Sequence, residues 1–208
     1  MVGVLPFDAL PVTPGPRTVL VSRHGRTTGN EQHLHQHWGD WGLSDDGLAR
    51  TREAAGWWAG RGVDHVVSSP VHRATQTAQV LFGRLDEIDA GWAEHAAPTV
   101  AGWTYAQAHA RHPEVLREDG WPVLEAATSP VMERWLVVCD RAVRALRRAA
   151  ATVPAGGTVA VVTHGSLLVG LTSLAGRSDP TLPNLAVAET EVDPAAGWSL
   201  RGVHDPLG

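Results

Sequence analysis

Short apolar runs along the chain alternate with longer stretches in which apolar residues recur at helical spacing. The runs at residues 17–21, 63–68 and 158–163 are rich in β-branched residues, which is typical of buried strands. Stretches that predict helices lie between and after them, at residues 45–59, 71–82, 130–151 and 166–175. This alternation predicts an α/β fold, a three-layer sandwich in which a mostly parallel central sheet carries helices on both faces.

The ends and faces of two predicted helices can be located more closely. Ser44 is a typical N-cap of the first helix and Gly60 a typical terminator. The inward face of this helix is expected to consist of Leu48, Ala55 and Ala59. Ser129 and Pro130 predict the start of the long helix that ends near residue 151. Its solvent-facing side is expected to carry Arg141, Arg144, Arg147 and Arg148.

The rest of the chain predicts one domain. Residues 1–16 hold four prolines and predict an extended lead-in, and residues 17–208 predict a single α/β domain. Residues 91–127 are the least regular part, and we interpret them as an insertion that covers the functional site, with a short helix at residues 105–111. Three further short strands are predicted at residues 87–90, 185–192 and 198–203.

Charge and composition narrow the function classes. The 208 residues carry a formal net charge of −5, which gives no general attraction to nucleic acid or to acidic membranes. No apolar run approaches the roughly 18 residues of a membrane span. The single cysteine, Cys139, excludes an intrachain disulfide and suits a reducing compartment. We therefore expect a cytoplasmic protein that binds anions only through locally placed arginines.

Two predicted strands end in a His-Gly pair. Arg23, His24 and Gly25 follow the strand at residues 17–21, and His164 and Gly165 follow the strand at residues 158–163. In an open α/β sheet, ligands gather outside the carboxyl ends of the strands. The sequence therefore predicts that both imidazoles lie at one edge of one sheet.

These motifs resemble those of the histidine phosphatase superfamily, the phosphoglycerate mutase-like proteins. Arg23-His24-Gly25 with Thr27 and Asn30 is similar to the nucleophile loop of that family. Ser69-Pro70 with Arg73 resembles its second arginine motif, and Thr163-His164-Gly165 its second histidine motif. Their order along the chain is also that of the family. The resemblance implies phosphoryl transfer on a phosphoglycerate mutase-like fold, without a metal or other cofactor.

The chemistry of the residues agrees with this resemblance. A guanidinium is a planar, permanently charged fork that matches phosphate oxygens, and Arg23 and Arg73 fit that role. A neutral imidazole can attack phosphorus and later depart, so His24 is the expected nucleophile. Nearby cations, Arg23 and Arg26 in sequence, are expected to lower its pKa. His164 is expected to stabilise charge on the equatorial phosphate oxygens.

The general acid has two candidates in the sequence. In the family it precedes a glycine and a Thr-Tyr-like helix start, and Glu94 before Gly102 matches that register. Glu87 before Gly91 shows the same pattern, but it follows the preceding helix too closely to leave room for a strand. Glu94 is therefore the first choice and Glu87 the second. We expect the site to raise the pKa of this carboxyl.

Further residues are expected to contact the substrate or to line its site. The predicted binding residues are Thr27, Asn30, Gln36, His37 and Gly165, of which His37 stands where the family often has glycine. Three tryptophans are candidates to flank a ring or an apolar group of the substrate, Trp38, Trp41 and Trp103. The alternating histidines His33, His35 and His37 invite a metal-site interpretation. We do not adopt it, because no acid or cysteine cluster is nearby in the sequence.

The function expected from the sequence is a metal-independent phosphatase that hydrolyses a small phosphomonoester through a phosphohistidine on His24, with Glu94 as proton donor. Two alternatives stay open: a phosphoglycerate mutase-type isomerase that uses the same intermediate, and an inactive phospholigand-binding module. The expected partner is a small phosphorylated metabolite, and a homodimer is left open. The sequence does not name the substrate.

Overall fold

The computed structural model describes residues 13–39, 41–123, 131–177, 182–193 and 195–208. Most of the expected lead-in lies outside the described residues, as do Ser129 and Pro130 at the predicted start of the long helix. Six helices are described: α1 (Thr28–Glu31), α2 (Asp45–Ala59), α3 (His72–Phe82), α4 (Tyr105–Arg111), α5 (Trp135–Ala151) and α6 (Gly165–Leu174).

A six-stranded sheet lies at the centre of the described chain. Its strands are β1 (Arg17–Arg23), β2 (His65–Ser68), β3 (Glu87–Ile88), β4 (Thr158–Thr163), β5 (Val187–Asp193) and β6 (Gly197–His204). They lie in the order β3-β2-β4-β1-β5-β6. Neighbours among the first four strands are parallel, whereas β5 is antiparallel to β1 and β6 to β5. The predicted mostly parallel sheet is confirmed, with the short strand at its edge and the closing pair.

Alternate side chains of the central strands pack against helices on opposite faces of the sheet. Val19 and Val21 of β1 share a cluster with Leu146 of α5 and with residues of α6. Leu20, between them, packs instead in a cluster with Trp58 of α2. Because strand side chains alternate with period two, the apolar run of β1 buries both faces of the sheet. The predicted three-layer arrangement follows from this pattern.

Helix α2 has the predicted ends but a different buried face. The Ser44 side chain accepts a hydrogen bond from the Gly47 amide at 3.1 Å, and Gly60 is the C-cap. The buried residues are Gly47, Thr51, Ala54 and Trp58, so the predicted inward face of Leu48, Ala55 and Ala59 is only partly right: Ala55 packs against the cluster of Ala54 and Trp58, whereas Leu48 is half-buried and Ala59 is exposed. The N-terminal part of α2 lies against the loop after β1, and only small side chains fit between them. This contact decides which face of α2 is buried.

The long helix α5 begins at Trp135, and residues 131–134 before it are not helical, so the predicted helix over residues 130–151 begins too early. Val131 and Met132 are buried outside any helix, in a cluster with Val115 and Leu116 of the segment before them. Val131 and Met132, which the prediction placed inside the helix, instead complete this neighbouring cluster.

Three of the four arginines predicted for the solvent-exposed face of α5 lie on that face, and the fourth does not. Arg144, Arg147 and Arg148 are exposed, as expected. Arg141 is only partly exposed and forms an ion pair with Glu133 at 2.9 Å. Its guanidinium also donates to backbone carbonyls of the segment after β3, so it links this segment to α5.

The described part of the predicted covering segment, residues 91–123, contains two short 3₁₀ turns and α4. Helix α4 spans the predicted residues and begins at a capping box formed by Thr104 and Gln107. The His35 amide donates to the Trp103 carbonyl at 2.9 Å, and the Tyr105 amide donates to the His33 carbonyl at 2.9 Å. These bonds fasten the segment to the loop that follows β1.

The close contact of α2 with that loop predicts opposite effects of two alanine substitutions. A Cβ on Gly47 would lie 1.9 Å from the Arg26 carbonyl oxygen, whereas one on Gly56 would meet nothing within 4 Å. Gly47→Ala is expected to lower the free energy of unfolding by about 3 kcal/mol. Gly56→Ala, the control on the same helix, is expected to raise it by up to about 1 kcal/mol. Urea unfolding measures both, and equal effects would contradict the described packing.

Candidate active site

The parallel pairing of β1 with β4 sets the two His-Gly pairs side by side. Arg23 pairs with Thr163 in the register, so His24 and His164 each follow the last residue of neighbouring strands. The His24 amide donates to the Thr163 carbonyl at 2.9 Å. The two imidazole rings lie 5.3 Å apart between centroids at an interplanar angle of 61°, and both are buried. The predicted meeting of the two imidazoles at one sheet edge is what the structure describes.

The His24 ring has one unprotonated nitrogen, whose lone pair could attack an electrophile. Its Nδ1 lies 2.7 Å from the Gly25 carbonyl oxygen, and because that oxygen only accepts, Nδ1 carries the proton. The lone pair is therefore on Nε2, which accepts a hydrogen bond from Arg73 Nε at 3.2 Å. Burial, followed by the charges of Arg73, His164 and Arg23, lowers the pKa of His24 well below its usual value. The imidazole is thus neutral near pH 7, with burial rather than charge as the largest cause.

Two arginines from different elements flank this ring, Arg73 fully buried and Arg23 partly exposed. Arg73, in the first turn of α3, also donates from Nη2 to the His37 carbonyl at 2.9 Å. Arg23, at the end of β1, donates to the Leu182 carbonyl. Within the described residues, three buried nitrogens next to the His24 ring have no hydrogen-bond partner: Arg23 Nε, Arg73 Nη1 and His164 Nδ1. Two further ones, His35 Nε2 and His95 Nε2, belong to residues that line the same site. Buried donors without a partner cost free energy, so this arrangement is suited to an anion.

The His164 ring is held by a hydrogen bond to a serine hydroxyl. Its Nε2 lies 2.7 Å from the Ser69 hydroxyl oxygen, which itself accepts from the Val71 amide at 3.2 Å. We assign the ring proton to Nδ1, because it faces the Glu94 carboxylate oxygen Oε2 at 3.7 Å, and the Ser69 hydroxyl then donates to Nε2. Burial, followed by the charge of Arg73, lowers the pKa of His164 well below its usual value, although Glu94 opposes the shift. Ser69, which sequence analysis noted only as part of a motif, therefore orients the second imidazole.

Of the two candidate acids, only Glu94 lies at this site. Its Oε2 is 3.7 Å from Arg73 Nη2 and 3.7 Å from His164 Nδ1. Glu87 lies exposed on β3, with its Oε2 3.4 Å from His65 Nε2.

The expectation that the site raises the pKa of this acid is wrong for the free protein. Burial does act to raise the pKa of Glu94, but His164, His95 and Arg73 outweigh it and hold the pKa well below its usual value. Sequence analysis did not foresee this direction, because His95 was not recognised as a neighbour of the carboxyl. Glu94 is ionised when no anion is bound.

A cavity of about 560 Å³ opens above these groups. Four of the five residues predicted to bind substrate line it: Asn30, Gln36, His37 and Gly165. Thr27 does not, which corrects that prediction. Its hydroxyl caps α1 by accepting from the Asn30 amide at 3.0 Å and donates to Gln36 Oε1 at 2.7 Å. Thr27 therefore holds two cavity residues in place from behind.

The cavity also has wall residues that sequence analysis missed. They include Tyr105, Asp119, Trp121, His95, Ser166 and Asn184. Asn184 donates to the His24 carbonyl at 2.9 Å, and nothing local in the sequence signals this contact. Ser166 directly follows the second His-Gly pair, which could have identified it.

None of the tryptophans proposed from the sequence lines the cavity. Trp38 is exposed, and Trp103 stacks on His112. A different tryptophan, Trp121, lines the cavity, with the centre of its ring 6.0 Å from the Arg23 guanidinium carbon. A Cβ on Gly165 would approach the Trp121 ring to 2.8 Å, so the absence of a side chain at Gly165 allows the indole ring to pack there.

The three alternating histidines do not form a strand. His33 and His37 have φ values of 53° and 47°, in the left-handed region, so the period-two argument for a shared face does not apply. Among the described residues, no group of three or more His, Cys, Asp or Glu side chains is arranged to hold a metal ion. In the same part of the chain, no helix has the length and apolar character needed to cross a membrane.

The sequence of the chain matches a family model and is similar to curated proteins. The family model for the histidine phosphatase superfamily, branch 1, matches residues 19–196. The bifunctional protein Rv2228c of Mycobacterium tuberculosis is 32% identical over 212 residues, a match that covers 91% of this chain and 57% of that protein. The chain therefore spans little more than half the length of the curated relatives it matches.

Solved structures share the fold. A phosphoglycerate mutase from Bacillus anthracis str. Sterne superposes with a TM-score of 0.78 at 21% identity, covering 93% of this chain and 95% of that one. The mycobacterial glucosyl-3-phosphoglycerate phosphatase Rv2419c superposes with a TM-score of 0.71 at 23% identity, covering 89% and 97%. At these identities the likeness shows the fold alone.

The unpartnered donors predict that inorganic phosphate stabilises the protein. Phosphate at about 100 times its dissociation constant is expected to add about 2.7 kcal/mol to the free energy of unfolding, seen as a rise in Tm. Arg73→Met is expected to abolish the rise, because it removes a buried donor of the site. Arg144→Met, at an exposed arginine of α5, is the control and should keep the rise. An equal rise in both variants would show that phosphate binds elsewhere.

The buried histidines predict that acid destabilises the fold. Burial, followed by the charge of His95, lowers the pKa of His35 to about 4, although Glu94 opposes the shift. Between that value and about 6.5, the unfolded chain binds a proton that the folded chain does not, so stability falls as pH falls. His35→Phe is expected to reduce the loss between pH 7 and pH 4.5 by about 2 kcal/mol. Urea unfolding at the two pH values measures it, and an equal loss in both proteins would contradict it.

Proposed function

The chain belongs to branch 1 of the histidine phosphatase superfamily, and on that basis we propose that it hydrolyses a small phosphomonoester through a phosphohistidine on His24. The observation that carries the proposal is that all the groups needed for phosphoryl transfer lie at one edge of the cavity. There the neutral His24 Nε2, the unpartnered donors of Arg23, Arg73 and His164, and the Glu94 carboxylate meet. These groups supply a nucleophile, an anion site and a proton donor.

The substrate phosphoryl group binds to the three free donors. Arg23 Nε and Arg73 Nη1 lie on different elements, so together with His164 Nδ1 they address several phosphate oxygens. Because they are buried, their electrostatic effect is larger than it would be in water. Binding also gives each donor the partner that it lacks in the free protein.

In the first step, His24 Nε2 attacks phosphorus and forms a P–N bond while the P–O bond to the leaving group breaks. Glu94 gives its proton to the leaving oxygen, which departs as an alcohol. The proton on His24 Nδ1 stays on that nitrogen and is donated to the Gly25 carbonyl oxygen, a hydrogen bond that stabilises the phosphorylated ring. In the second step, Glu94 takes a proton from water, the resulting hydroxide attacks phosphorus, and the P–N bond breaks to release phosphate. Neither step uses a metal.

Glu94 must be protonated for the first step, although it is ionised in the free protein. The phosphate dianion resolves this conflict. It neutralises Arg73, which otherwise favours the charged carboxylate, and it adds negative charge beside Oε2. Both effects raise the pKa of Glu94 in the complex. The proton donor therefore forms when substrate binds.

Matched substitutions test the proposal through phosphate release. His24→Ala removes the attacking nitrogen and is expected to lower kcat at least about 10³-fold. Glu94→Gln is expected to lower kcat for an alkyl phosphate by about 10²-fold or more. Glu87→Gln, the same change at the other candidate acid, is the control and should stay within about twofold of wild type. EDTA is expected to leave kcat unchanged, because no step uses a metal.

The same assays separate the alternatives. Interconversion of phosphoglycerates faster than phosphate release would favour the isomerase. Binding of inorganic phosphate without turnover of any phosphomonoester would favour the inactive binding module. Rapid phosphate release by His24→Ala would contradict the phosphohistidine.

A further inference from the structure

The backbone around Glu94 is fastened by side chains rather than by regular secondary structure. Arg141 Nη1 donates to the carbonyls of Gly91 and Ala93, at 3.0 and 2.6 Å. Trp38 Nε1 donates to the carbonyl of Glu94 itself at 2.9 Å. These bonds hold the segment in place but do not decide how the carboxyl group is turned.

The two carboxyl oxygens of Glu94 have different surroundings. Oε1 accepts from the His95 amide at 3.0 Å, from His95 Nδ1 at 3.2 Å and from the Ser166 hydroxyl. Oε2 faces Arg73 and His164 at 3.7 Å, beyond hydrogen-bond distance. One oxygen is therefore anchored by three donors, and the other points toward the phosphate site.

Both anchoring side chains must donate. An ionised carboxylate only accepts, so the proton of the His95 ring is on Nδ1 and the Ser166 hydroxyl hydrogen points to Glu94. Ser166 is buried in the first turn of α6, directly after Gly165, so the strand end that delivers His164 also fixes this hydroxyl. His95 is mostly buried and follows Glu94 in the chain.

We propose that Ser166 and His95 are positioning residues that hold Glu94 Oε1, so that Oε2 is the oxygen that carries the proton and faces the leaving group. The physical reason is that an oxygen accepting three hydrogen bonds is the weaker base of the pair. A proton therefore resides on Oε2, where it can be transferred. This inference rests on the proposed function, and it assigns roles to two side chains outside the motifs of the family resemblance.

Leaving-group dependence is the readout that distinguishes positioning from a general structural role. p-Nitrophenyl phosphate and p-nitrobenzyl phosphate differ by one methylene group, but only the benzyl alkoxide needs a proton to depart. Ser166→Ala and His95→Ala are each expected to lower kcat/KM for the benzyl substrate on the order of tenfold more than kcat/KM for the phenyl substrate, since kcat/KM reports the step in which the leaving group departs. KM should change little for either substrate. His95→Asn, which keeps a donor at the position of Nδ1, should restore most of the loss.

A double-mutant cycle tests whether Ser166 acts through Glu94. In a Glu94→Gln background, Ser166→Ala is expected to cost much less than it does in wild type, because its partner carboxylate is gone. Additive losses would mean that Ser166 acts independently of Glu94 and would overturn the inference. If Ser166→Ala does not fold, His95→Ala in the same background makes the same test.

The outcomes separate this inference from the proposed function. Equal losses on both substrates, with wild-type hydrolysis of both, would overturn the positioning roles and leave the phosphatase proposal intact. Absence of phosphate release by the wild-type protein from either substrate, and from other phosphomonoesters, would overturn both.

Discussion

The parallel register of β1 against β4 is the constraint on which the rest of the site depends. It pairs Arg23 with Thr163, so His24 and His164 emerge side by side at the carboxyl end of the sheet. A shift of one residue would turn every side chain of β1 to the opposite face, so that Val19 and Val21 would meet the side of α2 and Leu20 the side of α5 and α6. Burial of Val19, Leu20 and Val21 on both faces therefore fixes the position of His24. The free energy that stabilises the core also aligns the two imidazoles.

Burial then determines the chemistry of the aligned groups. Two guanidiniums and two imidazoles share a space from which water is largely excluded, and burial is the largest cause of the lowered pKa values of His24 and His164. Burial and the charge of Arg73 keep the two imidazoles neutral, whereas Glu94 lies beside Arg73 and offsets part of the guanidinium charge. The free protein thus holds an incomplete ion network, which one tetrahedral anion would complete.

Sequence reasoning identified the features that depend on local pattern. The strand runs, the Ser44 cap and the His-Gly pairs each need only a few neighbouring residues. It failed for features that depend on contacts between residues far apart in the sequence. The start of α5 moved because Val131 and Met132 complete another cluster. The buried face of α2 was set by contact with the Arg26 carbonyl. The direction of the Glu94 pKa shift depended on His95 and Arg73, whose approach only the folded chain defines.

The central claim is that His24 carries the phosphoryl group during turnover. Its most direct test is rapid quenching of the wild-type protein with a ³²P-labelled phosphomonoester, followed by peptide mapping. We expect label on the peptide that contains His24, stable in base and lost in mild acid, with a rate of formation no slower than turnover. Steady turnover with no label on that peptide, or with acid-stable label on a different residue, would contradict the claim.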